Sequence, residues 1–502
     1  MTLKTILQGF GAAMLVLLLR VWPLLSSRHS AFYHSFLPMQ SVVWGNLIDV
    51  TVLSLLLATL FLFLQKGDGG VRTFLWALVF AELVPVVVSD VLAVRQMSFP
   101  RLYIELLFWG AFLAALALRS MQPLLYKRCV HGFLVLLLLA GCGLAWVVPE
   151  LLYFGLRAQP HDVKVPVTLA GLPAIGDHPL AGGRIVWLLF DELSYNQAFD
   201  HRFPGLSMPA FDRLKSESIS FSDLRPAGYN TERVIPSFFL GHVIENLVSN
   251  LDGEPRITLA GQKGWHAFNA NETLFADARR LGWTTGVVGW YNPYCRILAG
   301  TLDYCYWRMG DGLWTGTSPD QSTLENAAAP LKEVLRNWQR KTGFPAQEKH
   351  GSDLQALLPQ AEALIRDQSI GFVFIHLSVP HPPGIYDRRP GKHRVTGTYI
   401  DNLALADHTL SQLMATLNAT PLANKTAVIV CSDHSWRVPL WRPTPQWSKE
   451  EEIASQGRFD QRPVLMIHYP GQQSERDVNA PFEVIRIHEI IERMLRGQPA
   501  LP

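Results

Sequence analysis

The chain has 502 residues, of which 17% are charged, against about a quarter in ordinary soluble domains. Its formal net charge of only +2 argues against a nucleic-acid partner, which would call for a strongly basic surface. The length is sufficient for two or three domains, and the shortage of charge is concentrated in the first third of the chain.

Five apolar runs occupy that first third and predict a helical transmembrane domain over residues 1–155. The runs cover residues 6–20, 42–64, 74–94, 102–118 and 130–154. Three of them reach the ~20 residues that a helix needs to cross about 30 Å of hydrocarbon, and the first and fourth come close. The first run could instead be a cleaved signal peptide, but no small-residue cleavage site follows it and four more apolar runs do.

Lysine and arginine residues near the ends of the runs predict the orientation in the membrane. With the N-terminus inside, the inner side carries Lys4, Lys66, Arg72, Arg119, Lys127 and Arg128. The outer side carries Arg28, Arg95, Arg101 and Arg157. This difference favours a multi-pass protein of a bacterial inner (plasma) membrane, with its C-terminal domain in the periplasm or outside the cell.

Among the five cysteines, Cys295 and Cys305 are the only pair in predicted loops. In an oxidising compartment such a pair often forms a disulfide that closes a short loop. Two free thiols are the alternative, and they would count against the external placement.

Residues 156–183 are rich in proline and glycine and predict a linker. From residue 184 to residue 502 the pattern alternates between strands and helices. The predicted strands are "RIVWLLF", "TTGVVGW", "GFVFIHLSV", "TAVIVCS" and "RPVLMIHY". The predicted helices are "MPAFDRLKSES", "TLFADARRLGW", "TYIDNLALADHTLSQLMATL" and "PFEVIRIHEIIERMLRG". Continuous apolar strands separated by helices predict an α/β domain with a mostly parallel central sheet covered on both faces.

Carboxylates and imidazoles recur where these strands end. Asp191 and Glu192 follow the first strand, and Asp433 and His434 follow "TAVIVCS". Ligands of such sheets bind beyond the carboxyl ends of the strands, and oxygen and nitrogen donors of this kind suit Zn²⁺ or Mn²⁺. Each pair by itself could equally be a helix cap or a turn former. His376, inside "FVFIHLS", is more typical of a packed strand residue than of a ligand.

Thr231 stands at the entry to an apolar helix, in "NTERVIPSFF". A metal held by carboxylates and an imidazole can take a threonine hydroxyl as a further ligand and convert it into a nucleophile. The first turn of a helix also favours an anionic phosphoryl group. Thr231 could alternatively serve only as the N-cap, a role that is compatible with nucleophilic attack. Asn230 and Arg233 beside it are predicted substrate contacts.

Five blocks resemble the alkaline phosphatase and sulfatase superfamily in order and approximate spacing. They read "LLFDELS", "NTERVIPSFF", "VPHPPGIYDRRP", "TYIDNLALADHTLSQLM" and "VIVCSDHSWR". They are most similar to the membrane-bound branch of phosphoethanolamine transferases and lipoteichoic acid synthases. That branch has five N-terminal spans, an external catalytic domain and a threonine nucleophile followed five residues later by proline, a spacing that Thr231 and Pro236 reproduce.

The resemblance implies the roles of individual residues. It makes Asp191 the first carboxylate ligand, Thr231 the nucleophile and a ligand, and Asp433 and His434 the remaining ligands. His381 becomes a phosphate contact, a second-metal ligand or an assistant in proton movement.

The chain also departs from the branch. Asp191 and Glu192 stand where the branch usually has Glu-Ser, and this paired acid is reminiscent of the sulfatases, so Glu192 is a further candidate ligand. Ser435 stands where the branch has glycine, and no clear copy of its late Leu-His-Gly is present, which puts a second metal in doubt. The Cys/Ser-x-Pro-x-Arg motif of sulfatases is absent near Thr231, which disfavours sulfate ester hydrolysis.

Carboxylates also lie in the outer parts of the predicted spans: Asp49, Asp90, Glu105 and Glu150. Carboxylates within a membrane are costly and suggest partners. Our hypothesis is that some of them, with Asp49, Asp90 and Glu105 as the leading candidates, attract the ammonium of a phosphoethanolamine headgroup. Interfacial residues with access to water are the alternative.

Together these features predict transfer of a phosphoethanolamine or phosphoglycerol headgroup from a membrane phospholipid, through phospho-threonine, to an envelope lipid or glycan. If water is the acceptor, the same site is a membrane-anchored metal-dependent phosphodiesterase or sulfatase-like hydrolase. A catalytically degenerate envelope scaffold is the non-enzymatic alternative.

Overall fold

The computed structural model describes residues 2–25, 30–67, 69–94, 101–157, 183–250, 253–308, 317, 321–332, 345–444 and 446–499. The described helices are α1 Leu3–Val21, α2 Ser30–Tyr33, α3 Gln40–Gln65, α4 Gly70–Val94, α5 Arg101–Met121, α6 Pro123–Gly141, α7 Leu144–Leu156, α8 Pro209–Ser216, α9 Thr231–Leu240, α10 Leu274–Arg280, α11 Tyr294–Ile297, α12 Thr323–Ala327, α13 Pro345–Arg366, α14 Tyr399–Asn418, α15 Val438–Trp441, α16 Lys449–Ser455 and α17 Ile487–Leu495.

The described strands are β1 Arg184–Phe190, β2 Ile219–Phe221, β3 Leu224–Arg225, β4 Ile244–Ser249, β5 Pro255–Leu259, β6 His266–Ala267, β7 Thr285–Trp290, β8 Tyr304–Arg308, β9 Phe372–Leu377, β10 Gly384–Asp387, β11 Lys392–Gly397, β12 Thr426–Cys431, β13 Leu465–His468, β14 Arg476–Val478 and β15 Phe482–Glu483.

The described residues divide into two compact units. The first unit draws its residues from Met1–His29, Phe36–Pro160 and Leu313–Gln339. The second unit draws its residues from Ser30–Ser35, His161–Gly312 and Arg340–Pro502. Each unit therefore includes a short segment that lies, in sequence, among the residues of the other.

Among its described residues, the first unit contains five apolar segments that are long enough to cross a membrane, as predicted. They are Leu3–Leu25, Gln40–Gln65, Gly70–Val88, Tyr103–Met121 and Pro123–Leu156. The last segment is not one continuous helix, because α6 ends at Gly141 and α7 begins at Leu144.

Glycines allow the backbone of α1 to lie directly against its neighbours. A Cβ atom on Gly9 would stand 2.3 Å from the carbonyl oxygen of Ser54 in α3, and one on Gly141 of α6 would stand 2.0 Å from that of Leu7. Small residues permit such close contact between apolar helices, where dispersion rather than the hydrophobic effect drives association.

The second unit is built on an eight-stranded sheet with the order β14-β2-β13-β12-β1-β9-β7-β8. The pairs β12–β1, β1–β9, β9–β7 and β7–β8 are parallel, as is β14–β2. β13 runs antiparallel to both of its neighbours. The predicted α/β class with a mostly parallel central sheet is confirmed.

All seven residues of β1 are buried, because helices cover both faces of the sheet. On one face Trp187 and Leu189 join a core that includes residues of α9, α10 and α17. On the other face Val186 and Leu188 join a core that includes residues of α8, α13 and α14. This two-sided burial explains why β1 reads as a continuous apolar run rather than an alternating one.

Some elements differ from the prediction. The closing segment 481–497, predicted as a single helix, begins with the short strand β15 and a 3₁₀ turn before α17 starts at Ile487. The sequence patterns also gave no indication of the three-stranded antiparallel sheet β4-β5-β6 or of α13.

Candidate metal centre

The two acidic strand ends lie side by side because β1 and β12 are adjacent parallel strands. Leu189 pairs with Cys431 in the ladder, so the residues that follow each strand leave the sheet at the same edge. Asp191 follows β1 by one residue, and Asp433 follows β12 by two. The backbone N–H of Glu192 donates to Asp433 Oδ1 across 3.1 Å, which links the two strand ends directly.

Helix α9 brings Thr231 to this edge. Its Oγ1 lies 2.7 Å from Asp433 Oδ2, 3.3 Å from His434 Nε2 and 3.5 Å from Asp191 Oδ2. One ligand atom from each of Asp191, Asp433 and His434 falls within 4.8 Å of the others, and all three residues are buried. The predicted strand-end residues and Thr231 are thus brought together.

The two carboxylates respond differently to burial. Burial and the neighbouring Asp433 charge raise the pKa of Asp191 well above its ordinary value. Burial alone would also raise the pKa of Asp433, but the charge and hydrogen bond of His434 hold that pKa below its ordinary value. Two buried carboxylates this close are not both ionised unless a positive charge lies near them.

His434 directs one ring nitrogen, Nε2, into the group. Its Nδ1 lies 3.1 Å from the backbone oxygen of Ser435, which can only accept, so Nδ1 carries a proton. Nε2 faces Asp433 Oδ2 at 3.0 Å. That gap is bridged either by a second proton, which agrees with a pKa of His434 raised by Asp433 against the effect of burial, or by a metal ion.

An orphaned oxygen supports the metal alternative. Asp191 Oδ1 is buried and has no hydrogen-bond partner among the described residues. The other oxygen, Oδ2, accepts from His376 Nε2 at 3.3 Å, and His376 Nδ1 accepts from the Tyr294 hydroxyl at 2.7 Å. Burial lowers the pKa of His376 to about 4, so the ring is neutral and its two nitrogens have these distinct roles. The donor set, two carboxylates, one imidazole and one hydroxyl, fits Zn²⁺ or Mn²⁺.

Glu192 differs from its predicted role, because its carboxylate lies outside this ligand group. Its backbone adopts φ 62°, a left-handed conformation, and Oε1 accepts from the backbone N–H and Nε of Arg437. Trp441 Nε1 donates to the same carboxylate at 2.9 Å. Burial would raise the pKa of Glu192, but Arg437 lowers it below its ordinary value, so Glu192 is a buried anion with its own cation.

His381 belongs to the Arg437 network. Its Nε2 lies 3.1 Å from an Arg437 guanidinium nitrogen and 3.9 Å from Glu192 Oε2. A guanidinium can only donate, so Nε2 accepts and the proton of the neutral ring is on Nδ1. Burial lowers the pKa of His381 to about 3, in agreement with a neutral ring. Its hydrogen-bond partner is therefore Arg437 and not Thr231.

The two predicted substrate contacts beside Thr231 have structural partners. Asn230 is the N-cap of α9, and its backbone oxygen accepts from the N–H groups of Arg233 and Val234 at 2.9 Å. The Arg233 guanidinium donates to the backbone oxygen of Glu245 in β4. Arg233 thus ties α9 to the three-stranded sheet.

The predicted membrane carboxylates belong to the first unit. Asp49 is half-buried in α3, and its Oδ2 has no hydrogen-bond partner among the described residues. Glu105 is exposed on α5. The side chain of Asp90 in α4 lies outside the described part of the chain. Their proposed role in headgroup binding stays a prediction.

Sequence reasoning did not assign four residues that support the centre. Arg437 and Trp441 fix Glu192, Tyr294 orients His376, and Asn292 donates to the backbone oxygen of Thr231 at 3.3 Å. Arg437 is the last residue of the block "VIVCSDHSWR", three residues after His434. Its closeness in sequence to Asp433 and His434 was the one indication that it contributes to the site.

Residues 184–487 match the protein-family model described as Sulfatase, which is more than half of the chain. The chain is also similar to solved structures at low identity. One is the lipoteichoic acid synthase LtaP from Listeria monocytogenes, with 16% identity over 66% of this chain and 76% of that chain and a TM-score of 0.37. Another is the phosphonate monoester hydrolase of Agrobacterium radiobacter, with 13% identity over 62% of this chain and 73% of that chain and a TM-score of 0.38.

A third is the PsFucS1 sulfatase from Pseudoalteromonas sp., with 13% identity over 63% of this chain and 68% of that chain and a TM-score of 0.41. No curated protein sequence matches the chain.

Proposed function

The chain belongs to the sulfatase family, a family of enzymes, and we propose that it transfers a phosphorylated headgroup from a membrane phospholipid through Thr231. The headgroup is of phosphoethanolamine or phosphoglycerol type, and the acceptor is an envelope lipid or glycan. The observation that carries this proposal is the position of the Thr231 hydroxyl, 2.7 Å from Asp433 Oδ2 and within reach of His434 and Asp191.

A hydroxyl needs help to act as a nucleophile, and the surrounding residues provide it. Asp433 Oδ2 accepts the Thr231 hydrogen bond and is positioned to take its proton. A bound Zn²⁺ or Mn²⁺, held by Asp191, Asp433 and His434, would supply the positive charge that favours an ionised hydroxyl and offsets the negative charge of the phosphoryl group. Thr231 is also the first residue of α9, where the helix dipole favours an incoming anion.

The reaction consists of two in-line displacements. Thr231 Oγ1 forms a bond to phosphorus while the bond to the diacylglycerol oxygen breaks, and that oxygen takes a proton as it leaves. The acceptor hydroxyl then forms a bond to the same phosphorus, the bond to Oγ1 breaks, and Thr231 regains its proton. His381, a neutral ring with its proton on Nδ1, is the candidate for assisting proton movement at the leaving or attacking oxygen.

Membrane features support a lipid donor. Five apolar segments in the described part of the chain are long enough to span a bilayer, and we propose a bacterial inner membrane with the second unit in the periplasm or outside the cell. Cys295 and Cys305 form a disulfide, which agrees with an oxidising compartment.

Within the first unit, we propose that Asp49 of α3 attracts the ammonium of a phosphoethanolamine donor. Asp49→Asn is expected to raise the KM for the lipid about tenfold and to leave turnover of a soluble phosphodiester unchanged. An unchanged KM for the lipid removes this role from Asp49. Phosphatidylglycerol, which lacks the ammonium, is the matched control donor.

Tracing a headgroup-labelled phospholipid tests the proposed reaction. Label on a larger envelope molecule supports the transferase, label in a small water-soluble product supports the hydrolase, and no movement supports a scaffold. Acid-quenched protein is expected to carry label on Thr231. Thr231→Val, which keeps the shape of the side chain but lacks the hydroxyl, is expected to carry none, whereas Thr231→Ser is expected to retain part of it.

A further inference from the structure

The Ser30–Ser35 segment belongs to the second unit, called the catalytic unit from here on because it contains Thr231, although in sequence it lies between the apolar helices α1 and α3. Phe32 and Tyr33 are both fully buried, and Tyr33 joins the same hydrophobic core as Trp187 of β1. Burial of these aromatic side chains stabilises the position of the segment in this unit. The segment is therefore packed into the hydrophobic core of this unit.

Arg296 holds the segment by its backbone. The guanidinium donates to the backbone oxygen of Phe32 at 3.2 Å, to that of Tyr33 at 3.4 Å and to that of Ser35. Arg296 lies in α11, which the Cys295–Cys305 disulfide ties to β8. Several carbonyls that converge on one rigidly mounted cation fix the backbone on both sides of His34.

His34 uses both ring nitrogens within the catalytic unit. Nε2 lies 2.9 Å from Glu232 Oε2, and Nδ1 lies 3.2 Å from the backbone oxygen of Tyr291. Glu232 Oε2 and the Tyr291 backbone oxygen are both acceptors for a ring N–H. The His34 and Tyr291 rings are also in contact, with centroids 4.5 Å apart.

One partner of His34 is the chain neighbour of the proposed nucleophile, and the other is the chain neighbour of a residue that donates a hydrogen bond to it. Glu232 follows Thr231 in the first turn of α9. Tyr291 precedes Asn292, whose side-chain amide donates to the backbone oxygen of Thr231 at 3.3 Å. Tyr291 has φ 72°, a conformation that a bulky residue adopts only when its surroundings impose it.

We propose that His34 is a positioning residue for Thr231, supplied to the catalytic unit by the loop between the first two membrane helices. It joins the first turn of α9 to the Tyr291–Asn292 turn, and so fixes the Thr231 backbone from both sides. This role rests on the proposed function of Thr231 as nucleophile. Misplacement of a reacting group by about 1 Å can slow a reaction by about 100-fold, so small movements of this turn matter.

The test measures the rate at which Thr231 acquires label in a single turnover. The full-length protein in detergent micelles is mixed with headgroup-labelled phosphatidylethanolamine or phosphatidylglycerol, and samples are quenched in acid. His34→Ala is expected to slow labelling about 10- to 100-fold while the donor concentration at half-maximal rate changes less than twofold. His266→Ala, which removes an exposed histidine of β6, is the matched control and is expected to label at the wild-type rate.

Glu232→Gln keeps the size of the partner side chain and removes its charge, so it tests the same contact where His34→Ala does not fold. It is expected to slow labelling about 3- to 10-fold, and the His34→Ala/Glu232→Gln double variant is expected to be no slower than His34→Ala, because the two residues act through one contact. A merely structural role would instead lower the unfolding temperature and leave the labelling rate of the folded fraction unchanged.

The outcomes separate the two proposals. If wild type is labelled and folded His34→Ala or Glu232→Gln is labelled at the same rate, the positioning role is overturned and the proposed function is left intact. No label on Thr231 in wild type overturns the proposed function, and the positioning role with it.

Discussion

Replacement of Arg437 by methionine tests the charge balance beside the metal centre. The Arg437 guanidinium pairs with Glu192, which is fully buried, and also donates to His381 and to the backbone oxygen of Tyr229. Methionine keeps most of the apolar side chain and removes the charge. Among the described residues, the donors that remain to Glu192 are then neutral: the indole N–H of Trp441 and the backbone N–H of residue 437.

The expected cost follows from leaving a buried anion without its cation. Removing one partner of a buried ion pair typically destabilises by about 3–5 kcal/mol. At about 2 °C per kcal/mol for a domain of this size, the unfolding temperature of Arg437→Met is expected to fall by about 6–10 °C. A second substitution, Glu192→Gln, is expected to recover most of the loss because it removes the unpaired charge.

The pH dependence of the loss identifies Glu192 as its source. In wild type Arg437 holds the pKa of Glu192 below its ordinary value despite burial. The ion pair therefore stabilises the fold fully when the pH is above the pKa that Glu192 has in the unfolded chain. This stabilisation is lost as the pH falls through the lower pKa that Glu192 has in the folded protein. In Arg437→Met burial is unopposed and the pKa of Glu192 rises above its ordinary value. The penalty is then full at pH 8 and is relieved as the pH falls through the raised pKa.

The assay is thermal unfolding of the full-length protein in detergent and EDTA, followed by tryptophan fluorescence at several pH values between 5 and 8. Chelation keeps metal binding out of the comparison. We expect the difference between wild type and Arg437→Met to shrink as the pH falls, and the double variant with Glu192→Gln to show little of this dependence. A loss that is equal at every pH, or one that Glu192→Gln does not repair, would refute the reasoning.

Three further substitutions probe the centre and its support. Asp433→Asn is expected to abolish the stabilisation of the fold by Zn²⁺ or Mn²⁺. In wild type this stabilisation is expected to be about 2.7 kcal/mol at a metal concentration of a hundred times the dissociation constant. If metal still raises the unfolding temperature of the variant in scanning fluorimetry, Asp433 is not a ligand. Tyr294→Phe removes the hydroxyl 2.7 Å from His376 and is expected to weaken metal binding about tenfold in calorimetric titration, whereas equal affinity would mean that packing alone orients the ring. Replacing Cys295 and Cys305 together by serine is expected to lower the free energy of unfolding, measured by urea titration, by about 2–3 kcal/mol. This is the chain-entropy value for a disulfide between cysteines 10 residues apart. An unchanged free energy of unfolding would mean that packing, and not the disulfide, stabilises this loop.

The proximity of the candidate ligands was predictable because topology, rather than side-chain detail, brings them together. Two adjacent parallel strands that end in Asp191 and Asp433 leave the sheet at one edge, and only the alternation of strands and helices is needed to expect this. A threonine at the entry of an apolar helix completes the pattern. The apolar helices followed from the length of the apolar runs and the parallel sheet from its continuous apolar strands, whereas the sulfatase-type fold was implied by the resemblance of five sequence blocks.

The role of Glu192 was not predictable in this way. Its neighbour Asp191 faces the centre, whereas the left-handed backbone at Glu192 directs the second carboxylate to Arg437. The choice depends on one dihedral angle and on a partner 245 residues away in the chain, neither of which has a local sequence signal. His376 posed the opposite problem: it is fully buried in a strand, as predicted, yet its ring also contacts Asp191.

The Ser30–Ser35 segment marks another limit of sequence reasoning. Hydrophobic periodicity predicts a membrane helix or a strand from a run of many residues. The Ser30–Ser35 segment has six residues between two apolar runs, which is too short to show a periodic pattern. Its place in the catalytic unit is decided by long-range contacts, chiefly burial of Tyr33 and the three backbone oxygens held by Arg296.

The charges around Thr231 also bear on how an anionic donor binds. Asp191 and Asp433 are both buried beside the hydroxyl, and Arg437 is committed to Glu192. An anionic phosphodiester that approaches this pair meets like charge in a medium of low dielectric, where repulsion is strong. A divalent cation reverses the sign of the local field. We therefore expect a bound metal to be needed for donor binding in the proposed reaction as well as for activation of the hydroxyl, so that its removal abolishes saturation by donor rather than only slowing turnover.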